Sequence, residues 1–374
     1  MFPAAPVSSP SSLPDLAAVC GRFPFSGRFV DGRSHGSGHI NDTYAVSFDQ
    51  EGCRRRYVLQ RINTRVFRDV DALMENIARV CAHAARRVAA DGGPDAARRA
   101  LTLVPTRDGA PFWRDAEGGS WRAYDFIEGA TSFDKIESPA QARVAAQAFG
   151  EFQRLLADLP APRLRETIPH FHDTRRRFDN LERSARADAA GRAAAAAAEI
   201  GFARSREALV DSLLGLQASG AIPERITHND TKLNNVMLDD ATGKALCIID
   251  LDTVMPGLAL YDFGDMARSA TNAAAEDEAD LSLVRMQMPV FAALVEGYRA
   301  GAGPLLNAAE VANLALAGRV ITFEIGIRFL TDFLDGDIYF KTRRPTHNLD
   351  RARNQFALLR SMEEQRAAME SLCA

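Results

Sequence analysis

The chain has 374 residues, 47% of them hydrophobic and 25% charged, with a net charge of -4 and a pI near 6.0. Such a length holds more than one average domain, the composition excludes disorder for most of it, and the charge offers no general attraction for nucleic acid. The cysteines, at 20, 53, 81, 247 and 373, form no CxxC pair, which excludes a zinc ribbon or disulfide scaffold and fits a reducing compartment.

In chain order, MFPAAPVSSPSSLPDLAA lacks a basic n-region and a continuous apolar stretch, so it is not read as a secretion signal. Residues 1–25 are expected to form a loose tail. No later run approaches the roughly eighteen apolar residues of a membrane span, and the expected location is cytoplasmic. From 26 to 126 the pattern is strand-rich. SGRFVDG and DTYAVSF alternate around a glycine-rich turn, and RRYVLQRIN follows as a third β-branched run. DVDALMENIARVCAHAARRVAA has helical spacing with acids near its start. Turn signals at Asp108-Gly109 and Gly118-Gly119 then divide further strand-like runs, predicting a sheet of about five strands with one helix inserted after the third. Residues 127–374 read as mainly helical, broken at 225–254 by short strands and turns. The alanine-rich segment 185–202 is expected to be a plain surface helix. The predicted fold is α+β, a small antiparallel β-rich lobe followed by a larger helical one.

The chemistry concentrates in HNDTKLNNVML, residues 228–238. Phosphoryl transfer from a nucleotide to a hydroxyl needs a carboxylate to orient and deprotonate the acceptor, oxygen ligands for magnesium, and a cation against the charge of the moving group. Asp230, the pair Asn235 and Asp250, and Lys232 could fill these roles. A tight loop lets Asp230 and Asn235 face one cleft, and a short hairpin through LCII returns Asp250 beside them. Lysine occurs only at 135, 232, 244 and 341, so its presence in this loop merits a reason. Upstream, Gly36 and Gly38 in GSGHINDTY would let backbone N–H groups approach phosphates, with Asn41 as a polar partner. Among the helices, ETIPHFHDTRRRF and RFLTDFLDGDIYFKTRRPTHNL are dense in arginine, histidine and aromatics. Aromatic faces stack on the apolar faces of a ligand and charged forks bind its hydroxyls, so Arg328, Tyr339, His172 and Lys341 are candidate acceptor contacts.

The H-x-D-x-K-x-x-N pattern followed by I-I-D resembles the catalytic and metal-binding loops of the protein-kinase-like fold. With Y-D-F-G-D at 261–265 it resembles the aminoglycoside phosphotransferase and choline kinase branch, and longer stretches are similar to the bacterial N-acetylhexosamine 1-kinases. The resemblance implies an ATP- and magnesium-dependent kinase acting on the anomeric hydroxyl of N-acetylglucosamine or N-acetylgalactosamine. It implies no nucleic-acid, membrane or obligate protein partner. N-acetylmuramic acid, an aminoglycoside, choline or homoserine are alternative acceptors, and a nucleotide-binding pseudokinase is a further reading. The resemblance also gives RAYDFIEG the place of the kinase hinge, with backbone groups of Asp125 and Ile127 meeting adenine. Asp262 takes a structural role, bracing the catalytic loop. The third strand departs from the pattern: Gln60 stands where a lysine is expected, followed by Arg61, and either could approach the phosphates. Glu75 would be the ion-pair partner on the helix.

Overall fold

The structure, a computed structural model, describes residues 14–36, 40–93 and 95–374. The chain divides into two compact units. One runs to Ala82 and resumes over Leu101–Glu128, and the other comprises His83–Ala100 and Gly129–Ala374.

The first unit is a twisted antiparallel sheet. Helix α1 (Leu16–Cys20) precedes strands β1 (Arg28–Ser34), β2 (Asp42–Gln50) and β3 (Cys53–Ile62). Helix α2 (Val70–Asp91) follows, its residues from His83 on counted with the second unit, then β4 (Leu103–Val104), β5 (Trp113–Arg114) and β6 (Ser120–Asp125). The strand order is β1-β2-β3-β6-β4, with β5 also paired to β6. Alternation sends Tyr44, Val46, Phe48, Tyr57, Leu59, Trp121 and Ala123 to one face. There they bury Leu16, Val19, Phe23 and Phe25. The expectation of a loose tail over 1–25 is therefore corrected for its second half: aromatic and aliphatic side chains after Pro14 close an otherwise open sheet face. Residues 1–13 lie outside the described residues.

The second unit carries a short strand, β7 (Ala130–Thr131), and helices α3 (Pro139–Leu156), α4 (Thr174–Ala187), α5 (Ala197–Arg204) and α6 (Ser212–Ala218). Short strands β8 (Arg225–Thr227), β9 (Val236–Asp239), β10 (Ala245–Ile248) and β11 (Met255–Gly257) come next. The rest is helical: α7 (Ala259–Thr271), α8 (Met288–Ala302), α9 (Ala308–Ala312), α10 (Leu314–Leu334), α11 (His347–Glu364) and α12 (Arg366–Cys373). Helix α10 is apolar nearly all round, and its Phe323, Ile327, Leu330 and Leu334 join α4, α5 and α11 in one core. Helices α3 and α8 touch backbone to backbone. A Cβ at Gly297 would overlap the carbonyl of Arg143, and one at Gly301 that of Gln147.

The alanine-rich segment is not one surface helix. Asp188 adopts φ 41° and Gly191 φ 67°, ending α4 in a turn. Asp188 Oδ1 accepts from Ala193 N at 2.8 Å, and Ala196, Ile200 and Ala203 beyond it are core. A short acidic side chain and a glycine outweigh alanine propensity there.

Candidate active site

Strand β8 delivers the chain into the loop 228–235, and most of that loop's backbone groups have a fixed partner. Asp262, at the start of α7 and fully buried, accepts from His228 N at 3.0 Å and Asn229 N at 2.7 Å. Its Oδ2 also accepts from Gln153 Nε2 at 2.5 Å, and Gln153 in turn accepts from the Tyr298 hydroxyl at 2.9 Å. Burial pushes the Asp262 carboxyl up, against the pull of His228 and these donors. One helical turn on, Asp265 Oδ2 accepts from Thr231 N at 2.9 Å while Arg268 holds its other oxygen at 2.8 Å. Thr253 Oγ1 donates to His228 O at 2.7 Å. The sequence Asp262-Phe263-Gly264 thus lies in a helix, its carboxylate occupied by loop amides, as the bracing reading expects.

Within this frame the expected residues meet. Asn235 Nδ2 donates to Asp230 O at 2.9 Å and to Asp230 Oδ2 at 3.3 Å. Asn235 O accepts from Ile249 N at 2.9 Å, which brings Asp250, the next residue, beside the loop. The His228 ring fixes the same junction. Its Nδ1 accepts from Asp230 N at 3.3 Å, so Nε2 carries the hydrogen and donates to Ile249 O at 3.0 Å. Asp250 sits at φ 58°, a left-handed conformation that aspartate tolerates better than most residues, and its side chain is exposed. Lys232 Nζ lies 2.9 Å from Asp230 Oδ1, with side-chain exposures of 46% and 27%, so both stay reachable from solvent. Burial works against charge on Asp230. Lys232, by charge and hydrogen bond, then His228 and Arg268, outweigh it and hold the carboxyl below its ordinary value. The Asp230 carboxylate in turn raises the Lys232 ammonium, over the cost of burial.

The donor set suits magnesium. With its amide nitrogen turned to Asp230, Asn235 directs its carbonyl oxygen elsewhere, and Asp250 offers an exposed carboxylate. Magnesium is usually held by one or two such groups plus phosphate oxygens and water. Among the described residues no cluster of three or more histidine, cysteine, aspartate or glutamate could form an all-protein cage.

Farther along the second unit, a second group assembles from distant segments. The Arg328 guanidinium lies over the Phe171 ring at 5.1 Å and the Phe340 ring at 5.8 Å, with the 57%-exposed Tyr339 edge-on to Phe340 at 4.8 Å. Asp332 pins this loop, accepting from Tyr339 N at 2.7 Å and Phe340 N at 2.9 Å. Arg177 joins them and was not among the expected contacts. Burial and then Arg328 push its guanidinium down to about 10, and its buried Nε has no hydrogen-bond partner. The run RRRF marked a basic segment, but only the helix phase singles out the third arginine. His172, expected as an acceptor contact, is instead buried: its Nδ1 meets Glu324 Oε1 at 2.8 Å and its Nε2 faces Asn229 O at 3.4 Å. It ties α10 to the catalytic loop. Lys341 is exposed at the loop's end.

On the first unit, Gly36 has φ 77°, while Gly38 lies outside the described residues. Asn41 Oδ1 accepts from Asn63 N at 2.9 Å, tying the ends of the second and third strands. Asp125 N donates to Thr102 O at 3.0 Å, so that amide is already engaged within the sheet, and Ile127 is half-buried. Glu75 is half-buried on α2. Strand alternation puts Gln60 and Arg61 on opposite faces of the sheet. Arg61 lies over Trp121 at 5.8 Å on the face closed by α1, and Gln60 faces the other way. Arg61 is therefore withdrawn as a phosphate contact.

The profile of the phosphotransferase enzyme family abbreviated APH matches residues 31–304. The chain belongs to that family. Solved structures agree on the fold. An aminoglycoside phosphotransferase from Alicyclobacillus acidocaldarius superposes with a TM-score of 0.57 at 15% identity, over 99% of this chain and 96% of its own. Choline kinase from Cryptosporidium parvum gives 0.58 at 12% identity, over 94% and 96%. A spectinomycin phosphotransferase in complex with ADP and spectinomycin gives 0.55 at 12%, over 95% and 100%. This phosphotransferase therefore has the kinase-like fold expected from its sequence, with an antiparallel sheet unit and a helical unit. No helix among its described residues is long and apolar enough to cross a membrane.

Proposed function

We propose that this phosphotransferase moves the γ-phosphoryl group of ATP to the anomeric hydroxyl of an N-acetylhexosamine, N-acetylglucosamine or N-acetylgalactosamine, releasing the sugar 1-phosphate and ADP. Asp230 orients the C1 hydroxyl and receives its proton as the new O–P bond forms and the bond from γ-phosphorus to the bridging oxygen breaks. A carboxyl held ionised is a weak base. That suits a loose transition state in which orientation matters more than early proton removal. Lys232 keeps Asp230 ionised and offsets charge on the transferring group. Asn235 and Asp250 would hold magnesium, which when bound draws charge from the phosphate oxygens. For the nucleotide we assign Gly36, Asn41, Gln60, the Asp125 carbonyl and the Ile127 backbone.

The observation that carries the choice of acceptor is the pairing of Arg177 and Arg328 beside Phe171, Tyr339 and Phe340. Two neighbouring guanidiniums repel a cationic aminoglycoside or choline, and aromatic faces with forked donors suit a neutral sugar. The same pair would also accept a carboxylate, which makes N-acetylmuramic acid the second reading. Phosphorus NMR of products from magnesium, ATP and each amino sugar tests both. A doublet coupled to the anomeric proton is expected, whereas a 6-phosphate, or ADP formed only with choline or an aminoglycoside, overturns the proposal.

A further inference from the structure

Gln60 stands in register between Thr43 on β2 and Arg122 on β6. Its amide is fixed from both sides: Nε2 donates to Thr43 Oγ1 at 3.0 Å, and Oε1 accepts from Arg122 Nε at 2.9 Å. Arg122 is only 1% exposed, among the largest fully buried side chains of the described residues. It lies on the face away from α1, over the Tyr124 ring at 5.5 Å and close enough to Cys81 of α2 to oppose the burial that lifts that thiol to about 12. Gln60 is half-buried, and an amide nitrogen has two hydrogens, of which Thr43 takes one. The second is polarised by a full positive charge hydrogen-bonded to the other end of the same amide. The chain has no lysine before residue 135, and Arg61 points to the opposite face.

We propose that Arg122 is a positioning residue for the nucleotide, acting through Gln60. It orients and polarises the amide so that the remaining N–H meets a phosphate oxygen, an arginine-backed glutamine doing what a single lysine does elsewhere. The proposal rests on the ATP reading above. It needs no covalent step and predicts a charge that can be relocated.

Titration calorimetry of the full chain with magnesium-ATP, beside steady-state KM for ATP and for the sugar, tests it. R122M should weaken ATP binding about tenfold or more, the scale of one charge-assisted hydrogen bond, with the sugar KM little changed. The double variant R122M/Q60K, which moves the cation one strand over, should recover most of the loss. A role confined to packing gives the opposite pattern, with the double variant binding no better than R122M, and overturns the proposal. Should R122M fail to fold, Q60L with Arg122 in place is read instead, and undiminished ATP affinity in it likewise overturns the proposal. A wild-type chain that binds no ATP overturns this inference and the nucleotide reading together. Wild-type binding with an unchanged R122M overturns this inference alone.

Discussion

The catalytic loop and the arginine–aromatic group are built in opposite ways. The loop's residues are neighbours in sequence, and their backbone is held by buried carboxylates at 262 and 265, by Thr253, and by the His228 ring. The arginine–aromatic group collects Phe171, Arg177, Arg328, Tyr339 and Phe340 from three segments, and its loop is held by side chains of Asp332, Arg192, Asn348 and Arg351. On the proposed function, chemistry common to every acceptor would sit in the braced part, and contacts that choose an acceptor in the part gathered from distant segments.

The largest effect should come from D230N, which keeps the side chain's volume and removes the proton acceptor. We expect kcat to fall by about a thousandfold, with the thermal midpoint unchanged. Near wild-type turnover would break the assignment. D262A should act through the frame instead. It leaves two buried loop amides and Gln153 without their acceptor, at a cost of about 2–4 kcal/mol in urea unfolding, and kcat should fall with stability. A fall in kcat with unchanged stability would place Asp262 in the reaction itself. R328M should raise the KM for the acceptor about tenfold and leave the KM for ATP unchanged, which is the sharpest separation of the two regions. The smallest effect concerns pH. Asp230 is held below its ordinary value by Lys232 against burial, so wild-type kcat/KM should stay level down through the usual carboxylate range. In K232M burial is left less opposed, the carboxyl rises, and the acidic limb of the profile should move to higher pH. An unmoved limb would mean that another group sets it.

The same contrast explains what could be read before the structure was known. That Asp230, Lys232 and Asn235 meet, with Asp250 beside them, was legible because the loop is short and one hairpin returns the chain to it. The sheet followed from alternation, and its helix from the period of Leu73, Ile77 and Val80. What stayed hidden depends on burial. Arg122 in WRAYDF looks like any solvated strand residue until the sheet encloses it. His172 sits in a segment as polar as any binding loop, and only the approach of Glu324 from α10 removes it from contact with a ligand. Asp265 could have been found. It lies one helical turn from Asp262, so both carboxylates must face the same loop.

Helices α3 and α8 lie as close as they do because Gly297 and Gly301 leave bare backbone against Arg143 and Gln147. Helix α3 carries Gln153, α8 carries Tyr298, and their hydrogen bond sets where the amide meets Asp262. The two helices work as a gauge block whose thickness is defined by missing side chains. A single added methyl at either position would force the two helices apart and shift Gln153 and Tyr298 against Asp262, so two glycines set the tolerance of the whole brace.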